Sequence, residues 1–132
     1  VGSLSISYTS AAGTTYSVAV SRFSGGDLPR SYLQQAKLDF TAQGAAIMGG
    51  PVKRQRMIWA ATAYLTSGEA AALDALFLAC DADRASGLAS AVTVSDSTGP
   101  GSTITATALF TTAPGFSQAG PEWLASFGLT EA

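Results

Sequence analysis

Met57-Ile58-Trp59-Ala60-Ala61-Thr62-Ala63-Tyr64-Leu65-Thr66-Ser67-Gly68-Glu69-Ala70-Ala71-Ala72-Leu73-Asp74-Ala75-Leu76-Phe77-Leu78-Ala79-Cys80 is the stretch whose reading decides the fold. Its first nine residues read as an extended strand, with Met57, Trp59, Ala61, Ala63 and Leu65 on one face. Thr66-Ser67-Gly68-Glu69 is a capping box: the threonine hydroxyl and the glutamate carboxylate satisfy amides that the first helical turn leaves unpaired. The strand therefore runs straight into a helix expected over about 66–83. Leu73, Leu76, Phe77 and Cys80 fall on one side of that helix at helical spacing, while Glu69, Asp74 and Asp81 stay wet. A narrow one-sided stripe implies a helix lying on a sheet. Trp59 is the expected large core anchor, with Leu73, Leu76 and Phe77 folding back over it.

Outward from this stretch the chain alternates with the period of strands. Leu4, Ile6 and Tyr8 oppose Ser5, Ser7 and Thr9; Tyr16, Val18 and Val20 oppose Ser17 and Ala19, with Ala12-Gly13 as the turn of a hairpin. Ala36 to Thr41 reads as a third strand and Leu88 to Asp96 as a fifth, with Val92 and Val94 inward. Thr103 to Phe110 returns from the turn Ser97-Thr98-Gly99-Pro100-Gly101-Ser102. Pro114-Gly115-Phe116 and Gly120-Pro121 suggest another connection before a last strand in which Trp123, Ala125, Phe127 and Leu129 alternate with Leu124, Ser126, Gly128 and Thr130. The reading is a mainly β protein: an antiparallel β-sandwich or barrel of about seven strands with one packed α-helix, spanning 1–132 as a single domain. Long loops are expected near 23–35, broken by Gly25-Gly26 and Pro29, and near 43–52, which carries Ile47 and Met48 between glycines.

The 132 residues are 47% hydrophobic and only 12% charged, with a formal net charge of -2, whereas soluble domains average about 25% charged residues. With a pI near 4.8, no general field draws the chain to nucleic acid or anionic lipid. Ala, Ser, Thr and Gly stand where charge is usual, a composition suited to surfaces packed on other protein. No apolar run reaches the length of a membrane span, and the start Val1-Gly2-Ser3-Leu4 lacks signal-peptide regions, so a cytoplasmic origin is expected. Cys80 has no partner and sits on the apolar helix face, as a buried inert thiol would.

The residues offer little chemistry. With no histidine, neither a serine triad nor an imidazole metal site can be built. Asp81-Ala82-Asp83-Arg84-Ala85-Ser86-Gly87 resembles a calcium loop only at its start: Ala85 replaces the third acid and Val92 stands where a bidentate glutamate belongs. Gly87 reads instead as helix-exit chemistry. Asp39, Asp96 and Glu122 are carboxylates that a hydrolase could pair, but no motif selects them. No cofactor, metal or catalytic residue is expected. The candidates for contact with other protein are Ile47, Met48, Lys53, Arg54, Arg56, Leu28 and Tyr32. Ile47 and Met48 either fold back or dock on a neighbour; Lys53-Arg54-Gln55-Arg56 is either a solvated strand end or one side of a subunit ion pair.

The order of parts from Arg56 through Trp59, Leu65-Thr66-Ser67-Gly68-Glu69, Leu73 with Leu76, and Gly87 to Val92-Thr93-Val94-Ser95-Asp96 resembles tail-tube-like structural proteins of tailed bacteriophages. Ala108-Leu109-Phe110-Thr111-Thr112-Ala113-Pro114, followed by a terminal strand, is similar to the end of distal tail or baseplate hub proteins. The resemblance covers about a third of the chain. It implies a sandwich flanked by a helix, copies of which form a ring, expected to be hexameric, around a channel through which the genome passes without specific binding. It further implies other tail or baseplate proteins as partners, a place in the virion, and assembly in the host cytoplasm. The competing expectation is a monomeric β-sandwich binding module, carbohydrate-directed, with Trp59 or Trp123 as a stacking platform.

Overall fold

A computed structural model describes residues 2–24, 30–33, 37–40, 42, 44–49, 56–99 and 101–132, with the backbone alone at 33, 37–40 and 46–49. Ten elements follow in order: β1 (Leu4–Thr9), β2 (Thr15–Val20), β3 (Arg30–Leu33), β4 (Lys37–Phe40), β5 (Ala46–Gly49), β6 (Arg56–Leu65), α1 (Ser67–Ala85), β7 (Val92–Asp96), β8 (Ile104–Ala119) and β9 (Glu122–Glu131). Seven strands form one antiparallel sheet in the order β2-β1-β7-β8-β9-β6-β3, and β4 pairs with β5 in a separate two-stranded sheet. The mainly β architecture with one helix is thus as the alternation implied.

The inward faces close a core around Leu4, Ile6, Val20, Trp59, Leu65, Leu73, Leu76, Val92, Val94 and Leu129, all at most 1% exposed. The sheet also turns back toward its other border. Beyond β2, the Tyr64 amide donates to the Arg22 carbonyl at 2.9 Å and Phe23 bridges Ala63, so the end of β2 meets the far half of β6, whose near half is paired by β3. Into this curved sheet α1 buries Ala70, Leu73, Leu76 and Cys80, each leucine contributing roughly 1.5–3 kcal/mol by leaving water.

Both ends of α1 are set by local chemistry. Thr66 and Glu69 exchange side chain-to-amide bonds of 3.3 and 3.0 Å. At the exit, Gly87 takes φ 75° while its amide donates to the Arg84 carbonyl and that of Leu88 to the Asp83 carbonyl, the paired bonds of a Schellman ending. The helix therefore runs two residues beyond the expected 83.

Four expectations need correction. The stretch 23–35, read as loop, contributes β3. The stretch 43–52 contributes β5, so Ile47 and Met48 lie in a strand registered with Asp39 and Leu38 and not at a loop tip. The connection expected around Pro114-Gly115-Phe116 does not exist. β8 runs unbroken for 16 residues and absorbs Pro114 in one of two register shifts against β9, where a bulge spares the amide that proline lacks. The turn comes at Gly120-Pro121, with Gly120 at φ 63°. Finally Phe77 is half-buried at the core's margin, packed edge-on to Phe110 at 5.3 Å between ring centroids, whereas Trp59, Leu73, Leu76 and Cys80 are core residues as expected.

Candidate functional site

Strand register fixes what the sheet shows to the outside. Reading outward residues across paired strands, one row runs Ala19, Ser5, Ser95, Thr105 and the next Ser17, Ser7, Thr93, Thr107. On the other half, Ser31, Ile58, Thr130 and Leu109 align, followed by Ala60, Gly128 and Thr112, then Thr62, Ser126 and Gly115, then Tyr64, Leu124 and Ser117. No ionic side chain interrupts these rows. The outward positions of the seven strands carry charge only at two margins: Arg56 at the start of β6 and Glu122 at the start of β9, which Arg22 pairs. Because β6 and β9 are antiparallel, with Leu65 opposite Trp123, these two charges lie at opposite ends of the sheet.

Among the described residues two carboxylates are buried within the sheet, Asp96 and Glu131, and Glu131 accepts from the Met57 amide at 3.1 Å. Asp96, at the end of β7, is fully buried. It accepts from the Trp59 indole N–H at 3.1 Å, from the Thr98 amide at 2.8 Å and from the Thr98 hydroxyl. The Arg30 guanidinium on β3 lies 3.4 Å away. That contact is close enough for attraction between charges, but Arg30 Nη1 forms no hydrogen bond. Gly99 makes the fit possible: a β-carbon there would stand 1.9 Å from Arg30 Nη2. Burial alone would push the Asp96 carboxyl up; the Thr98 and Trp59 donors and the Arg30 charge outweigh it and hold the group below the usual carboxylate range. The pair joins β3 to β7, strands from different parts of the sheet order. Asp96 is consumed in this role, which removes it from the carboxylates a hydrolase could use.

A polar cluster around Asp83 of α1 ties the helix to the first hairpin. Tyr8 donates its hydroxyl to the Asp83 carboxylate and lies 3.1 Å from the Ala89 carbonyl, while the Ala11 amide donates to Asp83 at 3.0 Å. The bond to Asp83, then burial, push the Tyr8 hydroxyl up to about 12; the Tyr8 and Ala11 donors pull Asp83 down. Burial, reinforced by the Asp83 charge, pushes the Cys80 thiol up to about 11, which keeps it protonated and unreactive at neutral pH.

A recess of about 430 Å³ lies between α1 and the β8–β9 hairpin, lined by Ser67, Ala70, Ala71, Asp74, Phe116 and Trp123. Two aromatic side chains, two alanines, a hydroxyl and one carboxylate make it apolar with a single charge. A smaller recess of about 260 Å³ lies further along the helix beside Phe77, Arg84 and Phe110. Among the described residues no group of three or more His, Cys, Asp or Glu could hold a metal, and no helix is long and apolar enough to cross a membrane.

Of the contact candidates, Tyr32 is 59% exposed on β3 and Arg56 is exposed with a guanidinium bond of 3.3 Å to the Glu131 carbonyl. Ile47 and Met48 are placed by backbone only. Leu28, Lys53 and Arg54 lie outside the described residues. The pairing of β3 with β6 sets Tyr32 one register step from Arg56, with Tyr32 opposite Met57 and Leu33 opposite Arg56, whereas Ile47 and Met48 lie on β5 of the other sheet. The uncharged outer face and the Asp74 recess were not singled out from sequence. The face was readable, since the Ser and Thr alternation marks it strand by strand; the recess was not, because Phe116 lies in what reads as a connection. Comparison with known proteins finds no matching family, no matching curated protein and no matching solved structure.

Proposed function

We propose that this chain is a non-enzymatic structural protein that works by self-association, as a ring- or tube-forming component of a phage tail: tube, hub or distal tail piece. The observation that carries self-association is the outer face of the seven-stranded sheet, where, between the Arg56 and Glu122 margins, small hydroxyl, methyl and glycine positions with Ile58, Tyr64, Leu109 and Leu124 among them follow one another without an ionic group. A sheet face meant for water alone commonly carries Lys and Glu, which also discourage unwanted association. A neutral face avoids the desolvation cost of charge when another protein covers it. Copies of the chain are the economical cover, and closed rings are the usual outcome when such contacts repeat around an axis. The phage assignment rests on the sequence resemblance alone, including a hexameric ring, neighbouring tail or baseplate proteins, and a channel through which DNA passes without specific binding.

Sedimentation and negative-stain microscopy of the purified chain test the reading. Association that strengthens with concentration, with rings or tubes visible, is the expected result. Charging the face with Thr62→Lys and Ser126→Lys is expected to leave the circular dichroism spectrum intact and yield monomer. A strict monomer at high concentration overturns it.

The carbohydrate-binding alternative loses one of its two platforms. Trp59 is 1% exposed and bonded to Asp96, so only Trp123, half-buried beside Phe116, is available to stack on a ligand.

A further inference from the structure

We propose that β8, along its free edge from Leu109 to Ala119, takes an added strand from another protein: an extended segment that carries an apolar and a cationic side chain four residues apart. The edge follows from register. β7 pairs with β8 only as far as Val92 opposite Ala108, whereas β8 continues to Ala119 with β9 on one side alone. Among the described residues no other strand pairs with this half. Thr111, Thr112 and Ala113 are exposed in succession, as are Ser117 and Gln118, so the strand is bare on both faces. Phe116 accordingly lines a recess on either side, one toward α1 and one of about 340 Å³ shared with Thr62 and Ser126. Backbone groups pointing out of such an edge lack a partner in the sheet, and satisfying them is what adds a strand. Pro114 and the two register shifts interrupt the edge upstream, so main-chain pairing falls on the regular run from Gly115 to Ala119.

The side chains beside this edge select the occupant. Phe110 and Phe116 each line a recess against α1, and they stand opposite Leu129 and Ala125, four steps of β9 or about 13 Å apart. An added strand presents residues four apart on one face, so two of its side chains meet the two recesses together. The recess at Phe110 takes an apolar side chain, because Phe77 and Leu109 line it and its Asp81 and Arg84 pair with each other. The recess at Phe116 takes an apolar stem ending in a cation: Trp123 and Phe116 offer aromatic faces, Ala70 and Ala71 an apolar floor, and Asp74 the one carboxylate.

Asp74 enters no ion pair among the described residues, where Arg22 pairs with Glu69 and Glu122, Arg30 with Asp96, and Arg84 with Asp81. Arg56 donates to the Glu131 carbonyl. The described arginines are therefore engaged within their own molecule, and the cation that answers Asp74 is assigned to another protein. This contact does not depend on the self-association reading, since it uses a strand edge and the helix side of the molecule, not the outer face of the sheet.

The probe is the blocked peptide acetyl-Thr-Leu-Thr-Ala-Thr-Arg-Thr-amide, whose leucine and arginine stand four apart on one face. Isothermal titration calorimetry against the full chain is expected to show saturable binding with Kd below about 1 mM. The peptide with glutamate in place of arginine, and Asp74→Lys with the original peptide, are each expected to bind about tenfold more weakly; the glutamate peptide is expected to recover on Asp74→Lys. Asp74 is exposed on α1, circular dichroism checks the fold, and Asp74→Asn serves as the milder variant should lysine perturb it. N-methylation of alternate peptide amides separates strand addition from loose adhesion. Only one of the two alternating sets points at β8, so one set is expected to abolish binding and the other to spare it. Amide hydrogen exchange reads the same contact from the protein: amides on the free edge between Gly115 and Ala119 are expected to exchange fast in the free chain and about tenfold or more slowly with saturating peptide. No binding at about 1 mM, equal effects of the two methylated sets, unchanged exchange at 115–119, or a charge swap without recovery overturns the proposal. Peptide that disperses assemblies of the wild-type chain in sedimentation identifies a second copy as the occupant and overturns the assignment to another protein. A strictly monomeric chain that binds the peptide refutes the self-association reading alone.

Discussion

Removing the Asp96 side chain tests whether the Arg30–Asp96 pair is as asymmetric as its geometry. Asp96→Ala strips Arg30 of the charge 3.4 Å away and strips the Trp59 N–H of its acceptor. The Arg30 side chain is only 9% exposed, so a cation is left with little access to water. Breaking a buried pair in this way costs about 3–5 kcal/mol, a large share of the roughly 5–15 kcal/mol that holds a domain folded. Arg30→Met is different. Asp96 then keeps the Trp59 and Thr98 donors, and its attraction to Arg30 lacks hydrogen-bond geometry, so a cost of about 1–2 kcal/mol is expected. The double variant no longer buries an unpaired cation and should be more stable than the sum of the singles predicts by about 1–3 kcal/mol. Urea unfolding followed by circular dichroism, with Trp59 emission as a local probe, measures all four corners of the cycle. Equal costs for the two single variants, or strict additivity in the double, would refute the reasoning.

Leu76→Ala, which empties a fully buried helix position, is expected to cost about 2–5 kcal/mol in the same urea experiment; a loss below about 1 kcal/mol would place the helix outside the core. The pH limits follow from the two tyrosine and carboxylate shifts. Tyr8 is raised in the fold to about 12 from an ordinary 10, so its contribution is complete below pH 10 and is lost as pH climbs toward 12; Tyr8→Phe should flatten stability across that alkaline window. Asp96 is lowered, so its contribution is present above the ordinary carboxylate range and is lost as pH falls below it. Acid unfolding of wild type should therefore steepen below about pH 4, and Asp96→Ala should remove that part of the slope.

The helix was legible because its signals are local. Thr66, Glu69 and Gly87 state its ends within a few residues, and Leu73, Leu76 and Cys80 state its buried side. Strands with clean alternation, β1, β2, β6 and β9, were legible for the same reason. Three features were not. β3 is four residues long inside a run of Gly and Pro, and its place is fixed by pairing with Arg56–Trp59, a partner too far along the chain for period to reveal. β8 hides its continuity because bulges break alternation at Thr112 and Gly115, so a proline that reads as a stop is carried inside a strand. Asp96 reads as a strand-end carboxylate; its burial depends on Trp59, Thr98 and Arg30 converging from three segments. Local chemistry can be read from the chain, whereas convergence requires the register.

The same register shows how so few charges are distributed. Four of the nine acidic residues, Glu69, Asp74, Asp81 and Asp83, lie on α1, together with Arg84. Asp96 and Glu131 are turned inward, and Glu122 is neutralised by Arg22 at the sheet's margin. The helix side thus carries most of the described charge that meets water, and the opposite surface carries none across its rows. A protein kept soluble by random scatter of charge would not sort it so. Sorting of this kind favours an arrangement in which the helix side stays wetted while the sheet side is covered. If instead the sheet faced solvent and the helix were covered, assembly would have to desolvate Glu69, Asp74 and Asp81 together, at a cost that only matching cations could offset.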